Sequence, residues 1–393
     1  MTRPAPDSRA GRRRLLAQGA GAVVVAAAVA WVLHHAWPEP RFGHLDYRIY
    51  VTASRRLGLH SIYAFHYFID RLGFTYPPFA AVVLWPLGRL SNHTGEIVWL
   101  FASVAGTVVA AALVVRLQVR RPRWSLYGAV VVAFTVVVMP SRLTFRFGQI
   151  NALVALLVVV DVWLISRDGR AGGIGIGLAA ALKLTPACLV PWLLVTRRRA
   201  GLNAIAAFAA AGLAAATVAP RDSWRYWTHE IFATGRVGDL SSSYSNSIRR
   251  FLTWVPIGKA PQTAIWGLLC LALAVVAYKR AIDADRRGNI LAAVTIVSCF
   301  GYLASPIAWG HHLFFLAPAA LLVVGDAGSL RRIALAALLA VPLIDPFEGG
   351  EGHVWSTVRF GCLLLVVLFL PIDAPAPDDP AAAADRITSG VAG

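Results

Sequence analysis

Apolar stretches of about 17–25 residues recur along the whole chain, separated by short tracts of Lys and Arg. As a helix rising about 1.5 Å per residue, a run of that length matches the roughly 30 Å hydrocarbon layer of a bilayer. Lipid offers no partner to an unpaired backbone N–H or C=O, so only helices and closed barrels cross it. Runs near 14–36, 97–115, 124–140, 149–165, 201–219, 262–280, 289–304, 311–325, 331–344 and 355–371 are predicted crossings. The fold class is all-α: a polytopic helical membrane protein with about 10–13 transmembrane helices. Of 393 residues, 58% are hydrophobic and 15% charged, and the mean hydropathy is +0.63, far from the balance of a soluble domain.

The formal charge of +17 sits in the tracts between runs: Arg12 to Arg14, "RLQVRRPR" (116–123), Arg197 to Arg199, "YKRAIDADRR" (278–287), and Arg331 with Arg332. Tracts so placed mark cytoplasmic loops and put both termini inside. No stacking platform accompanies the charge, so a nucleic-acid partner is not expected. Cys188, Cys270, Cys299 and Cys362 lie in or beside apolar segments without metal-ligand spacing and are read as packing residues. The first run resembles an export signal, but further spans follow, and it is read as an uncleaved anchor. Residues 1–372 form one membrane domain, and the Ala- and Pro-rich tail 373–393 is expected to be disordered.

Two segments, 75–95 and 172–199, do not fit as simple crossings. The second has basic residues at both ends, which one full crossing would put on opposite sides. Two short arms bent between Lys183 and Pro186 resolve the conflict, because Pro186 removes a backbone donor and clashes with the preceding turn. "GGIGIG" has neither a preceding strand nor a later acidic partner, so a nucleotide loop is rejected; Gly173 and Gly177 allow close helix packing instead. Two outer regions, 37–74 and 220–261, are too long for turns. In the first, Leu45, Ile49 and Arg56 follow helical spacing and predict a short surface helix. It carries Asp46, the only carboxylate between Glu39 and Asp70.

"LDYRIYVTA" (45–53), "FTYPPFAAVVLWPL" (74–87), "FGQINALVALLVVVD" (147–161), "GIGLAAALKLTPACLVPWLL" (175–194), "RDSWRYWTH" (221–229) and "SPIAWGHHLFF" (305–315) stand in order. Together they resemble the actinobacterial polyprenyl-phosphate-mannose-dependent α-(1→2)-mannosyltransferases, glycosyltransferase family 87, with its GT-C architecture. The resemblance covers about residues 40–320. It implies an inverting transfer of mannose from polyprenyl-phosphate-mannose to a mannosylated lipid or lipoglycan, with Asp46 as general base, in the plasma membrane and facing the extracytoplasmic side. Chemistry agrees, since a hydroxyl attacking an anomeric carbon must lose its proton, whereas polyprenyl phosphate leaves as a stable anion without needing one. One carboxylate suffices.

Other candidates carry two readings each. Lys183 inside an apolar segment is matched by a donor phosphate or by snorkelling to a headgroup. His311 and His312 contact phosphate or a sugar hydroxyl, or else cap and pack a helix end. Asp46 itself, without the resemblance, would cap the surface helix. Tyr76 orients a sugar or anchors the interface. Gln149 and Asn151, following a loop that holds Arg142 and Arg146, bind sugar hydroxyls or join helices. Trp227 and Asn246, with Trp224 and Tyr244, form a sugar platform or an interfacial aromatic belt. Where the resemblance would have Asn-Gln before Ser or Ile, the chain reads "SNSIRR" from 245, in the loop expected near the acceptor. Asp46 with two histidines is too little for a metal site, and no cofactor is expected beyond the lipid-linked donor. The competing class is a transporter or flippase of a lipid-linked sugar, which would need alternating access and is often built on an inverted repeat that the sequence lacks.

Overall fold

The computed structural model describes residues 8–37, 44–67, 72–118, 126–316, 334, 337–344 and 352–373. The expected tail after 373, most of the expected run 311–325 and part of the run 331–344 lie outside them. The described elements are helical; the one β-bridge, Tyr67 with Leu72, is isolated. Helices α1 (Ser8–His35), α2 (Leu45–Arg56), α3 (Pro78–Val83), α4 (Trp85–Gly88), α5 (Asn92–Gln118), α6 (Leu126–Val137), α7 (Met139–Phe147) and α8 (Asn151–Ile165) form the first half. The second comprises α9 (Ile174–Leu182), α10 (Leu189–Thr196), α11 (Arg198–Val218), α12 (Pro220–Arg225), α13 (Ile248–Leu252), α14 (Lys259–Arg286), α15 (Ile290–Ala304) and α16 (Gly352–Phe369). Four of them, α1, α5, α11 and α14, are individually long and apolar enough to cross a bilayer, and α6 with α7 makes a pair bent by 49°. Several shorter apolar helices, α8 and α15 among them, complete a multi-pass membrane protein.

The expected Arg142–Arg146 loop is instead helix α7. Pro140 starts it, and its Ser141, Thr144 and Phe145 side are buried. Pro at a first helical turn is preorganised, which allows a new helix immediately after the bend.

Segment 172–199 is a hairpin. Helix α9 stops at Leu182, Lys183 is extended (φ −148°, ψ 120°), a 3₁₀ turn runs over Thr185–Cys188, and α10 returns. A Cβ on Gly173 or Gly177 would strike the carbonyls of Ala200 and Ala204, whereas one on Gly201 would meet Leu194. Helix α9 therefore runs parallel to α11 and α10 antiparallel to it, so both arms reach the same end of α11. The expected close packing at the two glycines is what holds the pair together. Asp161, inside α8, accepts from the N–H groups of Gly173 (2.8 Å) and Ile176 (3.0 Å), satisfying donors that the α9 start would otherwise leave orphaned.

Segment 75–95 also avoids a full crossing, breaking into α3, α4 and the start of α5. The predicted helix at 45–56 is present as α2. It is pinned by the Arg48–Glu96 ion pair (2.5 Å), with Glu96 deeply buried, and by His44 N–H donating to Arg146 O (2.9 Å).

Candidate active site

Asp46 occupies the first turn of α2 and lines a cavity of about 1450 Å³. Tyr76, Gln149, Lys183, His311 and His312 line the same cavity, although they come from four other places in the chain. Gln149 reaches its place because Gly148 ends α7 in the left-handed region (φ 65°). A Cβ there would lie 2.6 Å from Tyr47 Cβ, so the "FGQIN" turn tolerates only glycine. The next residues open α8 and bring Asn151 beside Lys183.

The Gln149 amide is the hub. Its Nε2 donates to Asp46 Oδ2 (2.7 Å), while its Oε1 accepts from the hydroxyls of Tyr50 (2.9 Å) and Tyr76 (3.1 Å). The two hydroxyls are themselves 3.0 Å apart. The network engages one oxygen of Asp46, and the residue itself lines the cavity. Loss of water raises the Asp46 carboxyl to about 6, a change opposed by the Gln149 hydrogen bond and the Lys183 charge.

Lys183 Nζ donates to Asn151 Oδ1 (2.7 Å) and lies 5.5 Å from the centre of the Tyr76 ring. Asn151 Nδ2 donates in turn to His311 O (3.0 Å), tying the Gly310–Phe315 3₁₀ turn to the lysine. The His311 and His312 rings meet edge to face at 4.6 Å, and both side chains reach the cavity. Asn151 itself sits behind Lys183, in a smaller adjoining hollow. Among the described residues no three of His, Cys, Asp and Glu gather as metal ligands.

Two candidates lie elsewhere. Asn246 is buried and donates to Ala308 O (2.8 Å), fastening its loop to the "SPIAWG" segment. Trp227 packs on Phe208 and Tyr226, and it is Tyr226 that lines the cavity.

The sequence reading passed over three contributors. Tyr50 stands one helical turn after Asp46, a spacing that already puts both on one face of α2. Arg236 donates to Phe74 O (2.9 Å) and Thr75 O (3.1 Å), lies against the Tyr63 and Tyr226 rings, and so holds the segment that leads into Tyr76. Asp222 accepts from Ser61 Oγ (2.7 Å) and Ile62 N–H (3.3 Å), joining the 37–74 and 220–261 regions. No periodicity or motif announces either long-range pairing.

The family model of glycosyltransferase family 87 matches residues 74–306. The chain belongs to that family. It is 34% identical over 367 residues to a Mycobacterium tuberculosis protein named polyprenol-phosphate-mannose-dependent α-(1-2)-phosphatidylinositol mannoside mannosyltransferase, covering 86% of this chain and 82% of the relative. A Mycolicibacterium smegmatis protein of the same name is 32% identical over 69% of this chain and 66% of its own length. A second M. smegmatis relative, named for phosphatidylinositol pentamannoside, is 31% identical over 73% and 71%. The family assignment makes this chain a multi-pass membrane glycosyltransferase. The matched span contains Tyr76, Gln149, Asn151 and Lys183, whereas Asp46 and the two histidines flank it.

Proposed function

We propose that the chain transfers mannose from polyprenyl-phosphate-mannose to a phosphatidylinositol mannoside, forming an α-(1→2) linkage with inversion, on the extracytoplasmic face of the plasma membrane. Asp46 is the general base and takes the acceptor hydroxyl proton as that oxygen bonds to the anomeric carbon. The bond from that carbon to the phosphate oxygen breaks, and the electron pair leaves with polyprenyl phosphate. Lys183 offsets the phosphate charge, with His311 or His312 donating beside it. Tyr76 and Gln149 orient the sugar and the base, and Asn151 aims the lysine. No metal or cofactor step enters.

One observation carries the reading: a carboxylate held by a single amide and a buried ammonium open into one cavity, bridged by Tyr76. An acid near its working pH is suited to proton abstraction, and an intramembrane cation calls for an anionic partner. The names of the relatives supply the donor and acceptor of this reading. The basic tracts, placed inside, put α2 and the 220–261 region outside. Asp46→Asn should lower transfer in purified protein by about 10²–10⁴-fold while thermal unfolding and donor binding persist. Full activity of that variant with lipid-linked mannose would refute the base. A transporter of lipid-linked sugar has no observation in its favour.

A further inference from the structure

The cavity has a wall that the transfer chemistry leaves unused. It is built from the last turn of α1 and from α7. Trp31 and Trp37 line it and are 41% and 47% exposed, and the His35 ring stacks on Trp31 at 4.2 Å. Arg142 and Arg146, one helical turn apart on α7, line the same cavity. Arg146 is exposed, and among the described residues its guanidinium has no hydrogen-bond or ion-pair partner.

This wall is structurally joined to the base. Val32 and Ala36 of the α1 end pack on Phe145 of α7 in one buried cluster. His44 closes the junction, its ring bonding Ala36 O (3.2 Å) and its N–H bonding Arg146 O (2.9 Å), and Asp46 follows two residues later. The Lys183 position belongs to different elements, the α9–α10 hairpin and α8. A group bound on the α1–α7 wall therefore rests on elements other than those that hold the lysine.

We infer that this wall is the acceptor subsite, with the indole faces stacking on acceptor sugars and Arg146 pairing with a phosphodiester beside them. Flat aromatic faces suit the apolar faces of sugar rings, and the guanidinium fork matches two phosphate oxygens. A neutral mannoside would need no cation there, and the donor phosphate already has Lys183. The chemistry selected is a sugar chain attached next to an anionic phosphodiester, as in a mannosylated glycerophospholipid. Trp31, Trp37 and both arginines lie on elements of which only α7 falls within the 74–306 family match, so half of the wall is built by sequence outside it. The inference rests on the mannosyltransferase reading above and adds where the acceptor sits and what group it must carry.

The test uses full-length protein in phosphatidylcholine nanodiscs with polyprenyl-phosphate-mannose and two acceptors, a phosphatidylinositol mannoside and a neutral octyl α-mannoside. For Arg146→Gln, the ratio of kcat/KM between the first acceptor and the second should fall about tenfold, equivalent to about 1.4 kcal/mol. KM for the donor should stay within twofold, and Arg146→Lys should restore part of the ratio. An unchanged ratio, or an equal fall with both acceptors, overturns the subsite while leaving the transferase reading intact. A rise in donor KM instead would assign Arg146 to the leaving phosphate and also overturn it. No transfer by the unaltered protein to either acceptor would overturn the transferase reading, and this inference with it.

Discussion

At the scale of single residues, the Asp46 carboxyl is governed by opposing effects. Loss of water lifts it to about 6, and the Gln149 hydrogen bond and the Lys183 ammonium pull the other way. As the proposed base, Asp46 works only when ionised, so transfer should decline as pH drops through about 6 and reach a plateau above it; a pH profile of kcat in nanodiscs checks this. Gln149→Leu removes the donor that favours the ionised form, so the acid limb should move to higher pH while kcat falls about tenfold. A fall in kcat with no movement of the limb would mean that Gln149 acts only through packing. Tyr50 and Tyr76 would lose their shared acceptor in the same variant, because the amide links Asp46 to both tyrosine hydroxyls.

At the scale of elements, the site depends on two places where the backbone does something side chains cannot. The first is the turn at Gly148, which ends α7 and lets Gln149 reach Asp46 and Asn151 reach Lys183. Gly148→Ala should destabilise the fold by about 1–3 kcal/mol through left-handed strain, with more from the contact with Tyr47. A lowered unfolding temperature in detergent, measured by intrinsic fluorescence, is the expected outcome; no change would mean that the turn shifts at no cost. The second is the α9–α10 break, where the missing helical bonds around Lys183 and Pro186 are tolerated because the bend is enclosed by protein. Much of this element is legible in the chain itself: charge at both ends, an internal lysine and a proline leave few alternatives. The α7 helix was not legible. Two arginines among apolar residues look like a loop until one knows that Phe145 packs on α1 and that the arginines line the cavity.

At the scale of the molecule, the orientation proposed from the basic tracts is open to direct measurement. In a background lacking the four cysteines, Ser241→Cys in the outer region should react with a membrane-impermeant maleimide on intact cells, and Arg198→Cys at the α10–α11 turn should react only after lysis. The reverse pattern would place the cavity on the cytoplasmic side and remove the lipid-linked donor from reach of Asp46.

The residue sequence alone determined that the chain is a helical membrane protein, where it folds back rather than crosses, and which acid and which lysine stand out. Those properties are local, set by the length of an apolar run, a proline, or a charge with nowhere to go. Tertiary structure alone decided the partnerships: that Gln149 meets an acid 103 positions away, that Asn151 aims Lys183, that Asn246 fastens a loop rather than lining the cavity, and that α1 and α7 together build a wall. Such pairings depend on how helices far apart in sequence pack against one another, and packing is a property of complementary surfaces that no single stretch of chain contains.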